Sequence, residues 1–271
     1  MDRFEKQEQL KRDLAATGGL VVAFSGGVDS SYLLKVAHEV LGDRVLAVTA
    51  RSSTYPEREY REAVAFCRTY GIPHRTVVSE ELDVEGFADN PPDRCYLCKR
   101  ELFTKLAAVA REAGATKVAE GSNADDVSDY RPGLRAVAEQ GVLSPLRTAD
   151  LTKAEIRELS RDRGLPTWDK PAYACLSSRF PYGERITPAK LAQVDGAEQF
   201  LLDLGFRQVR VRHHGDVARI ELAPAEIARF VNEGHGAAVL KRFKELGFKY
   251  AALDVAGYRT GSMNDTLPTG A

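Results

Sequence analysis

Ser25-Gly26-Gly27-Val28-Asp29-Ser30-Ser31 lies between a short apolar run and a segment with apolar residues at helical spacing. Two glycines let the main chain turn tightly and approach a ligand. The free N–H groups of the following helix then face that ligand with the positive end of the dipole. Ser25, Ser30 and Ser31 add hydroxyl donors, and Asp29 can orient the loop or help hold Mg2+ on a polyphosphate. The full string after a first strand favours an anion site over a plain capped turn. The chain has neither the GxxxxGK loop of Walker-type NTPases nor the GxGxxG dinucleotide fingerprint. Asp125 and Asp126 are equally readable as Mg2+ holders or as an Asp-rich turn.

Sulfur forms the second constellation. Cys95-Tyr96-Leu97-Cys98 follows Pro91-Pro92-Asp93-Arg94 at the start of a helix, where the dipole and Arg94 or Lys99 favour thiolates. A lone CxxC is ambiguous between metal ligation and dithiol redox chemistry. Cys175 lies far along the chain, in a connector that meets the pair if it folds back over the sheet's carboxyl edge. Three thiolates leave one iron of a cubane cluster open to an outside ligand, whereas structural zinc prefers a fourth protein ligand. Cys67 recurs with Tyr60 and Val64 at helical spacing and reads as core packing. A third group is the strand-like Arg207 to His214, whose alternation sets Arg210, Arg212 and His214 on one face. Two arginines so spaced form a fork for phosphate or carboxylate, with Glu221 on the return strand within pairing reach. A solvated face with cross-strand ion pairs explains the same residues equally well.

The elements that position these groups alternate. Strands are expected at Leu20–Phe24, Val45–Thr49, His74–Val78 and Lys117–Ala119, with helices over Val28–Leu41, Pro56–Tyr70 and Tyr96–Ala113 between them. Strands apolar on both faces imply an α/β fold, a doubly wound parallel sheet that binds ligands at the strands' carboxyl ends. Thr152 and Glu155 form a capping box at the head of another helix. After a Pro- and Gly-bearing connector the order changes to helix, two strands, two helices and a last strand. A smaller C-terminal α+β domain is therefore expected, with domains 1–170 and 171–271 and a boundary between Trp168 and Thr187. The tail beyond Gly261 reads as loose.

Composition removes other classes. The chain has 271 residues, 44% hydrophobic and 28% charged, with ordinary Gly and Pro counts, so neither a disordered nor a collagenous chain fits. With 38 basic and 39 acidic residues the formal charge is −1, so no global field draws nucleic acid or anionic membrane, and any anion site is local. The charged start lacks the apolar core of a secretory signal, and no apolar run approaches the ~18 residues of a membrane span. Four cysteines without an export signal suit a reducing compartment, and a cytoplasmic protein is expected. Five histidines without HExxH, and no GxSxG, give zinc peptidases and serine hydrolases no support.

SGGVDSS resembles the PP-loop of the N-type ATP pyrophosphatases. That resemblance implies that ATP is cleaved between its α and β phosphates, that a substrate is adenylated, and that the loop grips the pyrophosphate. It also implies that Ala50-Arg51-Ser52 borders adenine and that Gly121 lines the nucleotide. An adenylate is an electrophile for which a thiolate or a cluster-bound sulfide is a natural partner.

Over nearly its whole length the chain is similar to the LarE sulfur-transferase family. The matching strings are AFSGGVDSS, Asp129-Tyr130-Arg131-Pro132-Gly133, Ser177-Ser178-Arg179-Phe180-Pro181-Tyr182-Gly183, Val209-Arg210-Val211-Arg212, Ala218-Arg219-Ile220-Glu221-Leu222 and Gly261-Ser262-Met263-Asn264-Asp265-Thr266-Leu267. The family adenylates the carboxylates of pyridinium-3,5-biscarboxylic acid mononucleotide and converts them to thiocarboxylates for the nickel-pincer cofactor of lactate racemase. In single-cysteine members the residue matching Cys175 gives up its own sulfur and becomes dehydroalanine. Cys95 and Cys98 depart from that form and match members with three cysteines built for a [4Fe-4S] cluster. The resemblance thus implies ATP, Mg2+ and a cluster on Cys95, Cys98 and Cys175. It sets Ser178 and Arg179 near the reacting carboxylate and makes Arg210 and Arg212 the binders of the substrate phosphate. The partner expected is a small nucleotide, in a homo-oligomer, with no membrane and no nucleic acid. The rival readings are a tRNA thiolase, an amidotransferase like NAD or GMP synthetase, and a non-enzymatic adenine-nucleotide sensor.

Overall fold

Helices and strands alternate from the first residues of the computed structural model, which describes residues 1–128, 132–259 and 261–262. Helix α1 (Arg3–Ala15) starts on a capping box of Asp2 and Glu5 and leads to β1 (Leu20–Ala23). There follow α2 (Val28–Leu41), β2 (Val45–Arg51), α3 (Glu57–Tyr70), β3 (His74–Val78), α4 (Arg94–Glu112) and β4 (Lys117–Ala119). Three helices complete this part: α5 (Gly133–Glu139), α6 (Pro145–Thr148) and α7 (Lys153–Asp162), the last opened by the Thr152–Glu155 capping box.

The strands form one parallel sheet in the order β3-β2-β1-β4. The chain steps outward from β1 to β3 and then returns to the other side of β1. The order therefore reverses between β1 and β4, and such a switch point opens a crevice at the carboxyl ends of the strands. Alternation along β1 explains the two layers. Leu20 and Val22 pack with Leu10, Leu33 and Leu34, while Val21 packs with Phe103, Leu106 and Val109 of α4. Leu20, Val21 and Val22 have no exposed surface, so together they stabilise the strand by roughly 5 kcal/mol or more. That exceeds what their modest number suggests, and it anchors the loop that follows.

The second part holds α8 (Pro188–Asp203), β5 (Val209–His214), β6 (Val217–Leu222), α9 (Pro224–Asn232), α10 (Gly236–Glu245) and β7 (Tyr250–Leu253). β5 and β6 form an antiparallel hairpin turning at Gly215, and β7 joins β6 in parallel. Helix α8 packs on β5, and α10 packs on α8 and β7.

The chain divides into two compact units, residues 1–84 with 93–173, and residues 85–92 with 174–271. The expected division at 170/171 differs from this in two respects, a break three residues later and the strap of residues 85–92. Asn90 of the strap has no exposed surface, and its amide donates to the carbonyls of Phe180 and Pro181 at 3.2 and 2.7 Å. Gly183 donates to the Asn90 carbonyl and Ile186 to that of Ala88. These bonds join residues about ninety positions apart, so no local pattern announces them. Asp129-Tyr130-Arg131, the string Met263 to Leu267 and most of the tail expected to be loose lie outside the described residues. Among the described residues no helix is long and apolar enough to cross a membrane.

Candidate active site

The SGGVDSS string forms the turn from β1 into α2, as its spacing implies. Gly26 has φ +67°, a conformation only glycine adopts without strain, and a Cβ there would sit 3.2 Å from the Ala63 Cβ of α3. Gly27 caps α2 with no side-chain hydrogen bond, so the helix's free N–H groups are left for a ligand. The Ser25 and Ser30 hydroxyls lie 3.1 Å apart, and Ser30 also donates to the Gly27 carbonyl. The Ser31 hydroxyl is buried without a hydrogen-bond partner.

Asp29 sits in the first turn of α2, where its Oδ2 accepts from Lys153 Nζ at 2.5 Å. Its Oδ1 is buried with no hydrogen-bond partner at normal geometry, although the Asn123 side chain is near enough to favour the carboxylate. Burial raises the Asp29 pKa and nearby Asp126 adds to this, while Lys153 works against both. A buried carboxylate with one oxygen unsatisfied fits a cation brought in with a polyphosphate. Lys153 was not singled out from the sequence. It lies 124 residues from Asp29, and only the helix start shared by its capping box hinted at its place.

Gly121 follows β4, and a Cβ there would meet Ser30 N at 3.0 Å and Ser30 Cα at 3.2 Å. The end of β4 thus touches the head of α2, across the switch point. Beside it, buried Glu120 accepts from the Ser122 amide and hydroxyl and from Ser144, with Lys99 3.6 Å away. Asp125 accepts the Lys153 amide at 2.8 Å and so helps cap α7, and Asp126 accepts the Asn123 amide. Both carboxylates have structural work in the turn.

Cys98 is half-buried and Cys95 exposed, both in the first two turns of α4. The Cys98 thiol donates to Glu81 Oε1 at 3.7 Å, and Glu81 Oε2 accepts from Thr54 at 3.0 Å. Thr54 in turn lies 3.1 Å from the Ser52 hydroxyl. This relay joins the tip of β2 to the CxxC, and burial pushes the Glu81 pKa up against the hydroxyls of Ser52 and Thr54. Cys67 is 1% exposed in the core, and burial pushes its thiol up to about 12. Among the described residues, neither unit gathers three His, Cys, Asp or Glu side chains around a point where a metal could sit.

In the second unit Cys175 is exposed, at the head of a short turn over Leu176–Arg179. Arg179, expected beside the reacting carboxylate, has no exposed surface. Its Nε and one terminal nitrogen pair with Glu198 at 2.7 and 2.8 Å. The other donates to the carbonyls of Ala174 and Cys175 and to the Ser178 hydroxyl. A guanidinium so committed shapes the turn that presents Cys175 rather than facing reactants. Burial opposes the Glu198 carboxylate, but Arg179 and Arg210 outweigh it and hold its pKa below the ordinary range.

Arg210 and Arg212 share a face, as alternation implies, and both are buried. Arg212 pairs with Glu221 at 2.8 Å and donates to Ser178 O and Ser262 Oγ. Arg210 lies over the Tyr258 ring, and burial together with Arg179 pushes its pKa down to about 10.

The NAD synthase family model matches residues 6–90, which carry the phosphate loop. The chain is similar to the pyridinium-3,5-bisthiocarboxylic acid mononucleotide synthase of Lactiplantibacillus plantarum, 41% identical over 249 residues, 92% of this chain and 90% of the relative. An uncharacterized protein of Synechocystis is 43% identical over 262 residues, 97% of this chain and 98% of the relative. The tRNA-specific 2-thiouridylase of Rickettsia peacockii is 30% identical over 188 residues, only 56% of this chain and 52% of the relative. The synthase likeness runs through both units, and on that ground the chain belongs to the LarE sulfur-transferase family.

Proposed function

We propose that the protein is an ATP-dependent sulfurtransferase that adenylates the carboxylates of pyridinium-3,5-biscarboxylic acid mononucleotide and converts them to thiocarboxylates. The relay Ser52–Thr54–Glu81–Cys98 is the observation that carries this reading, because it ties a sulfur side chain to the sheet edge that bears SGGVDSS. A substrate carboxylate oxygen attacks the α-phosphorus of ATP, the bond to the β-phosphate oxygen breaks, and pyrophosphate leaves. The amides of Gly26 and Gly27 and the hydroxyls of Ser25, Ser30 and Ser31 take up its charge. Asp29 would hold the Mg2+ that accompanies the polyphosphate and offsets its charge, and Lys153, released from Asp29, would face the phosphates. Ser52 and Gly121 line the nucleotide.

Sulfur then attacks the acyl carbon and AMP departs. Arg179 fixes the turn of Cys175 for this step, while Ser178, Arg210 and Arg212 hold the substrate phosphate. Cys95, Cys98 and Cys175 are the thiols that would hold a [4Fe-4S] cluster, and such a cluster would supply a replaceable sulfide. In the sacrificial alternative the Cys175 thiolate forms the thioester itself. Loss of its Cα proton then breaks the Cβ–S bond, leaving dehydroalanine and the thiocarboxylate. Four free cysteines suit a reducing cytoplasm, and a homo-oligomer is the assembly we infer.

The test is anaerobic reconstitution with iron and sulfide, followed by assay of AMP and thiolated nucleotide. Multiple turnovers with Cys175 intact support the cluster route. One turnover with loss of about 34 Da from the protein, one sulfur as hydrogen sulfide, supports sacrifice. AMP formed only with tRNA present would overturn the substrate assignment.

A further inference from the structure

We propose that Tyr55 and Lys170 are positioning residues that clamp back the carbonyls of Ser25 and Gly26 and so turn the amides of Gly26 and Gly27 toward the phosphates. The Tyr55 hydroxyl donates to the Ser25 carbonyl at 2.8 Å, and Lys170 Nζ donates to the Gly26 carbonyl at 3.2 Å. Among the described residues every peptide bond is trans, so within each peptide the N–H points opposite to the C=O. Fixing the Ser25 carbonyl therefore fixes the Gly26 N–H, and fixing the Gly26 carbonyl fixes the Gly27 N–H. Two consecutive amides held on one side of a glycine with positive φ make an anion-binding concavity.

Glycine makes this loop able to approach a phosphate, and by the same freedom unable to hold one conformation alone. The clamp supplies what the glycines lack. Lys170 is itself held, since Glu59 of α3 lies 2.8 Å from its ammonium and Glu62 2.7 Å. Its side chain is 11% exposed, so the contact with Gly26 is shielded from water. Burial opposes the ammonium, but Glu59 and Glu62 outweigh it and raise its pKa, so it stays charged. The Tyr173 ring lies against both Lys170 and Arg58, 5.9 Å from each. The start of the connector that leads to Cys175 is thereby tied to the back of the phosphate loop. Loop and connector share one cation.

The inference rests on the reading that this loop receives pyrophosphate, and the experiment separates the two. Isothermal titration of the full-length protein with Mg2+-pyrophosphate, Mg2+-ATP and adenosine is compared for wild type, Lys170→Met, Lys170→Arg and Tyr55→Phe. Lys170→Met and Tyr55→Phe are each expected to weaken pyrophosphate and ATP by about tenfold, the scale of one hydrogen bond to a charged ligand site. Adenosine affinity is expected to stay unchanged, and Lys170→Arg to recover most of the loss. A purely structural role would weaken all three ligands together. Should Lys170→Met not fold, Tyr55→Phe decides alone. Pyrophosphate bound by Tyr55→Phe as tightly as by wild type, or adenosine lost in proportion, overturns the clamp. Wild type that binds adenosine but no pyrophosphate overturns the reading of the loop, and the clamp with it.

Discussion

Asp29 is held in an environment that disfavours its charge, and this sets a stability effect against a catalytic one. Its pKa is raised by burial, so the ionised folded form is destabilised above that value and relieved as pH falls through it. Asp29→Asn is therefore expected to leave the melting temperature of the ATP-free protein no lower than wild type. The same substitution should cut pyrophosphate release at least about a hundredfold, since the amide cannot serve the metal. A melt several degrees lower would instead show that the Lys153 pair outweighs burial. Cysteine chemistry divides as sharply. With Cys67 buried and its thiol near 12, brief alkylation of the native protein is expected to label Cys95, Cys98 and Cys175 but not Cys67. Intact mass before and after denaturation counts the labels.

At the scale of elements, the head of α2 meets the end of β4 with no room to spare. Gly121→Ala places a Cβ against the main chain of Ser30, and neither backbone can yield easily. The expected cost is about 1–3 kcal/mol, read from urea unfolding, with weaker ATP binding in titration. Asp125→Ala tests a different kind of role. It removes a carboxylate from the Lys153 amide, so a loss of about 1 kcal/mol with little change in turnover is expected. A turnover loss matching Asp29→Asn would return Asp125 to the metal.

At the scale of the molecule, the chain passes between its units after Val84, after Pro92 and after Tyr173. The fragment 174–271 lacks the strap whose Asn90 bonds Phe180 and Pro181. It is expected to show no cooperative unfolding by circular dichroism, whereas restoring residues 85–92 as an N-terminal extension should recover a transition. Glu198 also stabilises this unit. Its pKa lies below the unfolded value, so its contribution is present above the ordinary carboxylate range and is lost as pH falls through the depressed value. Glu198→Gln should destabilise by about 3–5 kcal/mol at neutral pH and flatten the acid limb of the stability curve.

The order of strands and helices, the phosphate loop and the packing role of Cys67 were legible because each is written in residues near one another. Apolar periodicity, paired glycines and a capping box act over a few positions, and short-range sterics decide them. Arg210 and Arg212 were likewise placed on one face by alternation alone. The pairing of Arg212 with Glu221 was one of the readings the strand offered, though not its burial; the Arg179–Glu198 pair was not legible, nor were Lys153 on Asp29, Lys170 and Tyr55 on the loop carbonyls, or the strap around Asn90. Most of these join residues tens of positions apart. Which cation reaches which carboxylate depends on how the layers stack, and a charge removed from water takes whatever partner the finished packing brings within reach.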